Sequence, residues 1–211
     1  MKLLPDLDRT AHILAVDDDA NLLKLTRLIC ERSGFVCHTV LSGMEAISTL
    51  SKVPNHFDVI LMDTMMPGMH GIEATTRIRQ LPDAQHYTIV ICTSSGSVDE
   101  LVRALESGAD EIYPKPYHPH DLVDRLAEWA MYSRMRRVWN SIPDDDRFNR
   151  FFSHAAADED IMVRAIAAEW LVQTAQTSEE RAQVRGLLEL WQHDLDDRLV
   201  FTANRLIRQV S

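Results

Sequence analysis

The first part of the chain alternates short apolar runs with amphipathic segments. Runs rich in Ile, Val and aromatic residues predict five strands, at residues 12–16, 35–40, 57–62, 87–92 and 111–113. Apolar residues at three- and four-residue spacing predict helices between them, at residues 20–32, 43–51, 72–80 and 98–107. Such alternation predicts a doubly wound α/β domain, with one five-stranded parallel sheet and helices on both faces.

The boundaries and faces of these helices can also be read from the pattern. Ser33-Gly34 and Ser107-Gly108 follow two of the helices, and glycine there relieves the left-handed cap. The clearest apolar stripe lies on the first helix. Its members are Leu22, Leu25, Leu28 and Ile29.

From Pro119 onward the pattern becomes entirely helical. We predict a helix at residues 120–137, a helix start at Ser141-Ile-Pro-Asp-Asp-Asp, a helix at 158–174 and a long helix from Ser178 to about Arg208. The chain therefore divides into an α/β domain at residues 1–133, with its core at about 11–133, and an all-α region at residues 134–211.

The long helix carries apolar side chains on one face: Val184, Leu188, Trp191, Leu195, Leu199 and Leu206. Sustained three–four spacing is found in helix-pair and coiled-coil seams. It is also found on the core face of a small helical bundle, which we favour as the more common case.

Composition and charge limit the class of protein. Of 211 residues 45% are hydrophobic and 26% charged, as in a globular protein, and no apolar run approaches the roughly 18 residues of a membrane span. The N-terminus lacks a secretory apolar core. Three cysteines, Cys30, Cys37 and Cys92, without metal-like spacing suggest reduced thiols, with Cys92 in the core. We expect a cytoplasmic protein without a membrane partner.

The charge argues against nucleic acid as a partner, because the net charge is −10. Residues 1–116 carry 10 Lys+Arg and 16 Asp+Glu, giving −6, and residues 117–211 carry 12 and 16, giving −4. Neither part is a basic module.

Polar side chains follow four of the predicted strands: Asp17 and Asp18, Asp63, Thr93, and Lys115. The carboxyl ends of parallel strands form one edge, where ligands of such folds bind. Two carboxylates about 4 Å apart repel by roughly 4 kcal/mol at an effective dielectric near 20. A divalent cation reverses that repulsion, and carboxylate oxygens suit Mg²⁺. We therefore predict a metal site at this edge.

Four segments carry a family resemblance: "VDDD", "VILMDTMMPGMHGIE", "IVICTSSG" and "GADEIYPKPY". In order, residue type and spacing they resemble the receiver domain of two-component response regulators, over about residues 11–133. The resemblance implies a flavodoxin-like sheet of strand order 2-1-3-4-5. It also implies a phosphoprotein that acts in a phosphorelay, with a sensor histidine kinase or a phosphotransfer protein as its partner.

The resemblance assigns roles to individual residues. Asp63 is the expected phosphoacceptor, and Asp17, Asp18, Asp63 and the backbone carbonyl of Met65 are the expected Mg²⁺ ligands. Thr93 and Lys115 are expected to bind the phosphoryl group. No enzymatic activity is expected beyond self-phosphorylation of Asp63 from a phosphodonor.

Neighbouring positions complete the expectations for this site. Asp19 is expected to be a helix N-cap or a first-turn acid and not a ligand. The Lys115–Pro116 peptide bond is usually cis in the family, and Met65 and Ser95 occupy positions that usually tune the lifetime of the acyl phosphate.

One position departs from the family pattern. Most receivers have Tyr or Phe three residues before the lysine, whereas this chain has Ile112. Tyr113 is adjacent, but neighbouring strand residues point to opposite faces of a sheet. We expect any switch to act through the loop of residues 93–96 and its following helix, without an aromatic rotamer change.

Three readings of the helical region remain open. The first is a protein-interaction or dimerisation module, which the acidic balance and four tryptophans favour: Trp129, Trp139, Trp170 and Trp191. The second is a DNA-binding transcriptional output. Against it, the segment that would form the recognition helix begins with acidic residues after Ser178, where DNA phosphate contacts would need basic ones. The third is a regulated enzyme, for which no catalytic motif is visible. His154 and His193 are its candidate phosphotransfer histidines, but they lack the small and basic neighbours that such sites usually show.

Overall fold

The computed structural model describes residues 10–94, 97–143, 147–158, 160–194 and 196–210. Its contacts divide the described chain into two units, one ending at Arg134 and one beginning at Met135. We call them the N-terminal unit and the helical unit. Within the described part of the chain, no helix combines the length and apolarity that crossing a membrane requires.

The N-terminal unit contains one five-stranded sheet, as the pattern predicts. All the strands are parallel and their order is β2-β1-β3-β4-β5. They are β1 (His12–Val16), β2 (Val36–Val40), β3 (Val59–Asp63), β4 (Thr88–Thr93) and β5 (Glu111–Pro114). The predicted fold class and strand order are confirmed, and the predicted strand ends deviate by at most two residues.

Helices cover both faces of this sheet. They are α1 (Ala20–Arg32), α2 (Gly43–Lys52), α3 (Gly71–Arg79), α4 (Val98–Glu106) and the first part of α5 (Pro119–Ser141). One buried cluster joins α1 and α5 to one face of the sheet, and a second joins α2, α3 and α4 to the other. Cys92 lies in the first cluster, where burial raises the pKa of its thiol to about 12. All three cysteines are buried and form no disulfide.

Helix α1 begins and ends as predicted but presents a different face. The Asp19 side chain caps it by accepting from the backbone N–H of Asn21 at 2.8 Å. Two of the four residues of the apolar stripe, Leu25 and Leu28, are 51% and 45% exposed. The buried residues are Leu23, Thr26, Ile29 and Cys30. The sheet covers a face rotated from the leucine stripe, because tertiary packing sets the orientation of a helix more strongly than its own hydrophobicity.

A buried ion pair fastens α5 to the sheet. Arg134 donates to Oδ2 of Asp58 at 3.1 Å and to the Thr10 carbonyl at 3.0 Å. The same Asp58 oxygen accepts from the backbone N–H of His12 at 3.0 Å. Both charged side chains are less than a tenth exposed, so each depends on the other for compensation of its burial.

The helical unit contains the end of α5 followed by four shorter helices. They are α6 (Arg147–Ala156), α7 (Ile161–Thr174), α8 (Ser178–Trp191) and α9 (Asp197–Leu206). Thr177 and Glu180 form a reciprocal capping box at the start of α8. The predicted apolar face is buried within this unit at Val184, Leu188, Trp191, Leu199 and Leu206, as in a bundle core, while Leu195 lies outside the described residues.

Two predictions for this region are wrong, namely the single long helix and the helix start at Ser141, and the predicted limits at 137 and 158 differ by four and three residues from the end of α5 and the start of α7. The long helix breaks after Trp191, because Asp194 accepts from the backbone N–H of Asp196, whose side chain in turn caps α9. Ser141 ends α5 and does not begin a helix, since Pro143 cannot continue the α5 hydrogen bonding. Asp144, Asp145, Asp146 and Glu159, which the prediction placed near helix starts, lie outside the described residues.

Candidate functional site

Three carboxylates meet at the carboxyl edge of the sheet. Asp17 and Asp18 directly follow β1, and Asp63 is the last residue of β3. One ligand atom from each lies within 4.8 Å of the others. Asp17 and Asp63 are 5% and 8% exposed, whereas Asp18 is exposed. The donor set consists of oxygen alone, which fits a hard divalent cation such as Mg²⁺.

Lys115 brings a positive charge to the same place. It follows β5, and its ammonium nitrogen donates to Asp17 Oδ2 at 2.5 Å and to Asp63 Oδ1. Its backbone N–H donates to the Thr93 carbonyl at 2.8 Å, which joins the ends of β5 and β4. The peptide bond between Lys115 and Pro116 is cis. The side chains of four predicted site residues therefore converge at one edge.

The electrostatics of the two partners follow from burial and proximity. Burial raises the pKa of Asp63 above its ordinary value, and the nearby Asp17 charge acts in the same direction, while Lys115 opposes both. Burial acts to lower the pKa of Lys115, but hydrogen bonds to Asp17 and Asp63 outweigh it, so the pKa is raised. Asp63 is thus a carboxylate whose negative charge is only partly compensated by the protein.

Hydrogen bonds orient the acids. Asp17 Oδ1 accepts from the backbone N–H of Asp19, and Asp63 Oδ2 accepts from the backbone N–H of Met65, each at 2.8 Å. The Met65 side chain is 63% exposed beside the site. Thr93 is the last residue of β4 and half-buried. Ser95 and Gly96, in the predicted switch loop, lie outside the described residues.

Ile112, which departs from the family pattern, and its neighbour Tyr113 face opposite sides of the sheet. Ile112 packs against the cluster beneath α2, α3 and α4. Tyr113 packs against the other cluster, where its ring lies 5.4 Å from the Trp129 ring and 6.0 Å from the Tyr117 ring. Tyr113 therefore does not occupy the place of the aromatic residue that Ile112 replaces.

Gly71 is a site residue that the sequence analysis missed. Its backbone N–H donates to the Thr64 carbonyl at 2.9 Å, and a Cβ on Gly71 would lie 1.9 Å from the Asp63 carbonyl oxygen. Only glycine lets the start of α3 approach the Asp63 backbone so closely. One feature of the sequence could have indicated it: Gly71 directly precedes a predicted helix, at a position where glycine is not needed as a cap.

Fold and site together define a doubly wound α/β domain with an acidic carboxyl edge. A family model described as the response regulator receiver domain matches residues 13–127. The chain therefore belongs to the response regulator receiver family, as the resemblance indicated.

The chain is similar to several curated proteins. It is 36% identical over 115 residues to the phosphate regulon transcriptional regulatory protein PhoB of Rhizobium meliloti (strain 1021), covering 54% of this chain and 49% of that protein. It is 28% identical over 217 residues to the transcriptional regulatory protein ResD of Bacillus subtilis (strain 168), covering 97% of this chain and 88% of ResD. The chain thus spans about half of PhoB and most of ResD.

Solved structures agree on the fold. The chemotaxis protein CheY4 of Vibrio cholerae is 28% identical, with a TM-score of 0.53, covering 56% of this chain and 96% of CheY4. A CheY-like receiver domain protein from Methanospirillum hungatei JF-1 is 26% identical, with a TM-score of 0.55, covering 60% of this chain and 98% of that chain.

Proposed function

We propose that this receiver is a phosphoacceptor in a two-component phosphorelay, and that Asp63 accepts the phosphoryl group. The observation that carries the proposal is the meeting of Asp17, Asp18, Asp63 and Lys115 at one edge of the sheet. Three acids and one ammonium group are the charges that a metal-assisted transfer to a carboxylate requires.

The proposed reaction transfers a phosphoryl group from a phosphohistidine to Asp63. A carboxylate oxygen of Asp63 forms the new O–P bond as the N–P bond breaks, and the electron pair leaves with the imidazole. Bound to Asp17, Asp18, Asp63 and the Met65 carbonyl, Mg²⁺ would neutralise the transferred group. The Lys115 ammonium is already at Asp63 and moves its hydrogen bond to a phosphoryl oxygen.

The Thr93 hydroxyl is proposed to bind the phosphoryl group once it is on Asp63. A hydrogen bond from its Oγ1 to a phosphoryl oxygen draws the end of β4 inward and shifts an existing equilibrium between two forms. Thr93→Ala is expected to keep phosphorylation and lose the accompanying change in hydrogen exchange of α4, whereas Thr93→Ser is expected to keep both. Loss of phosphorylation itself in Thr93→Ala would contradict this role.

The helical unit is proposed to convey the signal to a protein partner or a second copy of the chain. The large apolar side chains of Leu190 and Phe201 are 73% and 70% exposed and are available for contact with a partner. The tryptophans give less support than expected, because Trp129 and Trp191 are buried and Trp139 packs on Trp170.

A DNA-binding transcriptional output is the second candidate. ResD, a transcriptional regulatory protein, matches 97% of this chain, including the helical unit. The expectation that nucleic acid is not a partner gains no support from such relatives. Against this candidate, residues 135–210 carry 10 arginines, no lysine and 13 acidic residues, and Arg185 and Arg205 already bind Val210 and Glu169.

One experiment separates the two outputs. The chain and its Asp63→Asn variant are incubated with Mg²⁺ and a small phosphodonor, and their size and retention on DNA are measured. A phosphorylation-dependent change in size without DNA retention supports the protein-interaction output. Retention that weakens steeply with salt supports the DNA output, because phosphate contacts release counterions. The same size change in Asp63→Asn would remove Asp63 from the mechanism.

A further inference from the structure

Three imidazoles gather on one face of the sheet, away from the acidic edge. His12 is the first residue of β1, at the opposite end of that strand from Asp17. His38 lies in β2 on the same face, because His12 pairs with Val36 and Leu14 pairs with His38. His56 comes from the loop before β3, and its ring contacts both of the other histidines.

Two of the rings already have the spacing of metal ligands. His12 Nδ1 lies 3.2 Å from His56 Nε2. In a tetrahedral site with metal–nitrogen distances of about 2.0–2.1 Å, ligand nitrogens lie about 3.3–3.4 Å apart. The two nitrogens therefore already lie at nearly the separation that two ligands of one transition-metal ion have, and a turn of each ring would aim both at the ion.

His38 supplies a third imidazole. Its ring centroid is 5.9 Å from that of His56, and its side chain is exposed, so a rotamer change can turn a ring nitrogen towards the pair. The ring of Phe57, only 1% exposed, packs edge-on against both exposed rings, at 5.6 Å from His38 and 5.0 Å from His56. The buried Phe57 ring therefore packs beneath both histidines, whose own side chains are exposed.

The backbone of this cluster is also held in place. The His12 N–H donates to the buried Asp58 carboxylate at 3.0 Å, and that carboxylate binds Arg134. Asp58 thus fixes the backbone at the end of β1 from which the His12 ring projects.

We propose that His12, His38 and His56 form a binding site for a divalent transition-metal ion of the Zn²⁺ type. Imidazole nitrogen selects Zn²⁺, Cu²⁺ or Ni²⁺, whereas the carboxylates at the other end of β1 select Mg²⁺. The two sites therefore take different ions. The ion ties β1, the edge strand β2 and the loop before β3 together, so it stabilises the folded receiver in proportion to its occupancy.

Equilibrium dialysis of the whole chain against Zn²⁺, with excess Mg²⁺ present, tests the proposal. Wild type is expected to bind one Zn²⁺ per chain at this site, and His56→Gln and His38→Gln are each expected to bind it at least about tenfold more weakly. His120→Gln and His193→Gln, which replace exposed histidines elsewhere, are expected to bind as wild type does.

Unfolding temperature provides the second readout. Zn²⁺ is expected to raise the Tm of wild type and the two control variants, and not that of His56→Gln, whose fold is checked by circular dichroism. Equal Zn²⁺ affinity in wild type and His56→Gln would overturn the proposal, leaving the cluster as aromatic packing. Unchanged affinity in His38→Gln would overturn the three-ligand site.

Discussion

The Lys115 ammonium nitrogen lies 2.5 Å from Oδ2 of Asp17, although 98 positions separate the two residues in the chain. The same nitrogen binds Asp63. The lysine lies between two of the three clustered acids. Its positive charge neutralises part of the negative charge that would otherwise attract a divalent cation. The protein's own cation and a metal bound there would therefore compete for the same carboxylates.

That competition predicts the effect of removing the lysine charge. Lys115→Met keeps the length of the side chain and is expected to bind Mg²⁺ about fivefold more tightly, equivalent to about 1 kcal/mol, the net value of one exchanged hydrogen bond. Lys52→Met, at the exposed end of α2, serves as the control and is expected to show no change. Titration calorimetry measures both. Weaker Mg²⁺ binding in Lys115→Met would show that the lysine organises the acids and does not compete.

The raised pKa of Asp63 predicts a pH-dependent cost to stability without metal. The folded pKa exceeds the unfolded value of about 3.9, so the folded state binds the proton more tightly, and ionisation of Asp63 disfavours folding. Without Mg²⁺, Asp63→Asn is therefore expected to be more stable than wild type at pH 7. The difference shrinks as pH falls through the folded pKa towards the unfolded value.

Urea unfolding at several pH values in chelator measures this difference. Adding Mg²⁺ at pH 7 is expected to stabilise wild type more than Asp63→Asn, because the metal binds the ionised carboxylate. Wild type as stable as Asp63→Asn at pH 7 without metal would contradict the electrostatic description of the site.

The close approach of Gly71 to Asp63 predicts that a single added methyl group lowers the stability of the protein. Gly71→Ala forces a Cβ against the Asp63 carbonyl oxygen, so it is expected to cost about 1–3 kcal/mol of unfolding free energy and to weaken Mg²⁺ binding. The matched control is Gly186→Ala in α8, which meets no atom within 4 Å and is expected to gain up to about 1 kcal/mol. Equal effects in the two variants would show that α3 does not support Asp63.

The buried pair of Asp58 and Arg134 predicts a non-additive result. Arg134→Met takes the guanidinium from a buried carboxylate and is expected to cost about 3 kcal/mol in denaturant unfolding. Adding Asp58→Asn to that variant is expected to recover part of the loss, because the uncompensated charge is then removed. Additive losses would show that the two side chains are not coupled.

Local signals in the sequence predicted much of this structure. The five strands are apolar runs, and α1 has both an Asp19 cap and a glycine stop, so its limits agree with the prediction. The acidic edge was predictable because parallel strands place their carboxyl ends together. The role of each site residue came from the family resemblance and stays a prediction.

Other features could not be predicted from the sequence, because they depend on residues far away in the chain or on side chains that compete with helix hydrogen bonds. The face of α1 that is buried depends on the sheet it meets, so the apolar spacing of Leu25 and Leu28 does not by itself show which face is covered. The break between α8 and α9 arises from short acidic side chains that bind nearby backbone N–H groups, which apolar periodicity does not register. The close approach of Gly71 to Asp63 is visible only once α3 has packed against β3.

Mapping the phosphorylated residue tests the central claim most directly. The chain is incubated with a phosphodonor and Mg²⁺, the acyl phosphate is trapped by borohydride reduction, and the peptides are sequenced by mass spectrometry. Modification at Asp63 that chelator abolishes is the predicted result. Modification at Asp17 or Asp18 in place of Asp63, or labelling that persists undiminished in chelator, would contradict it.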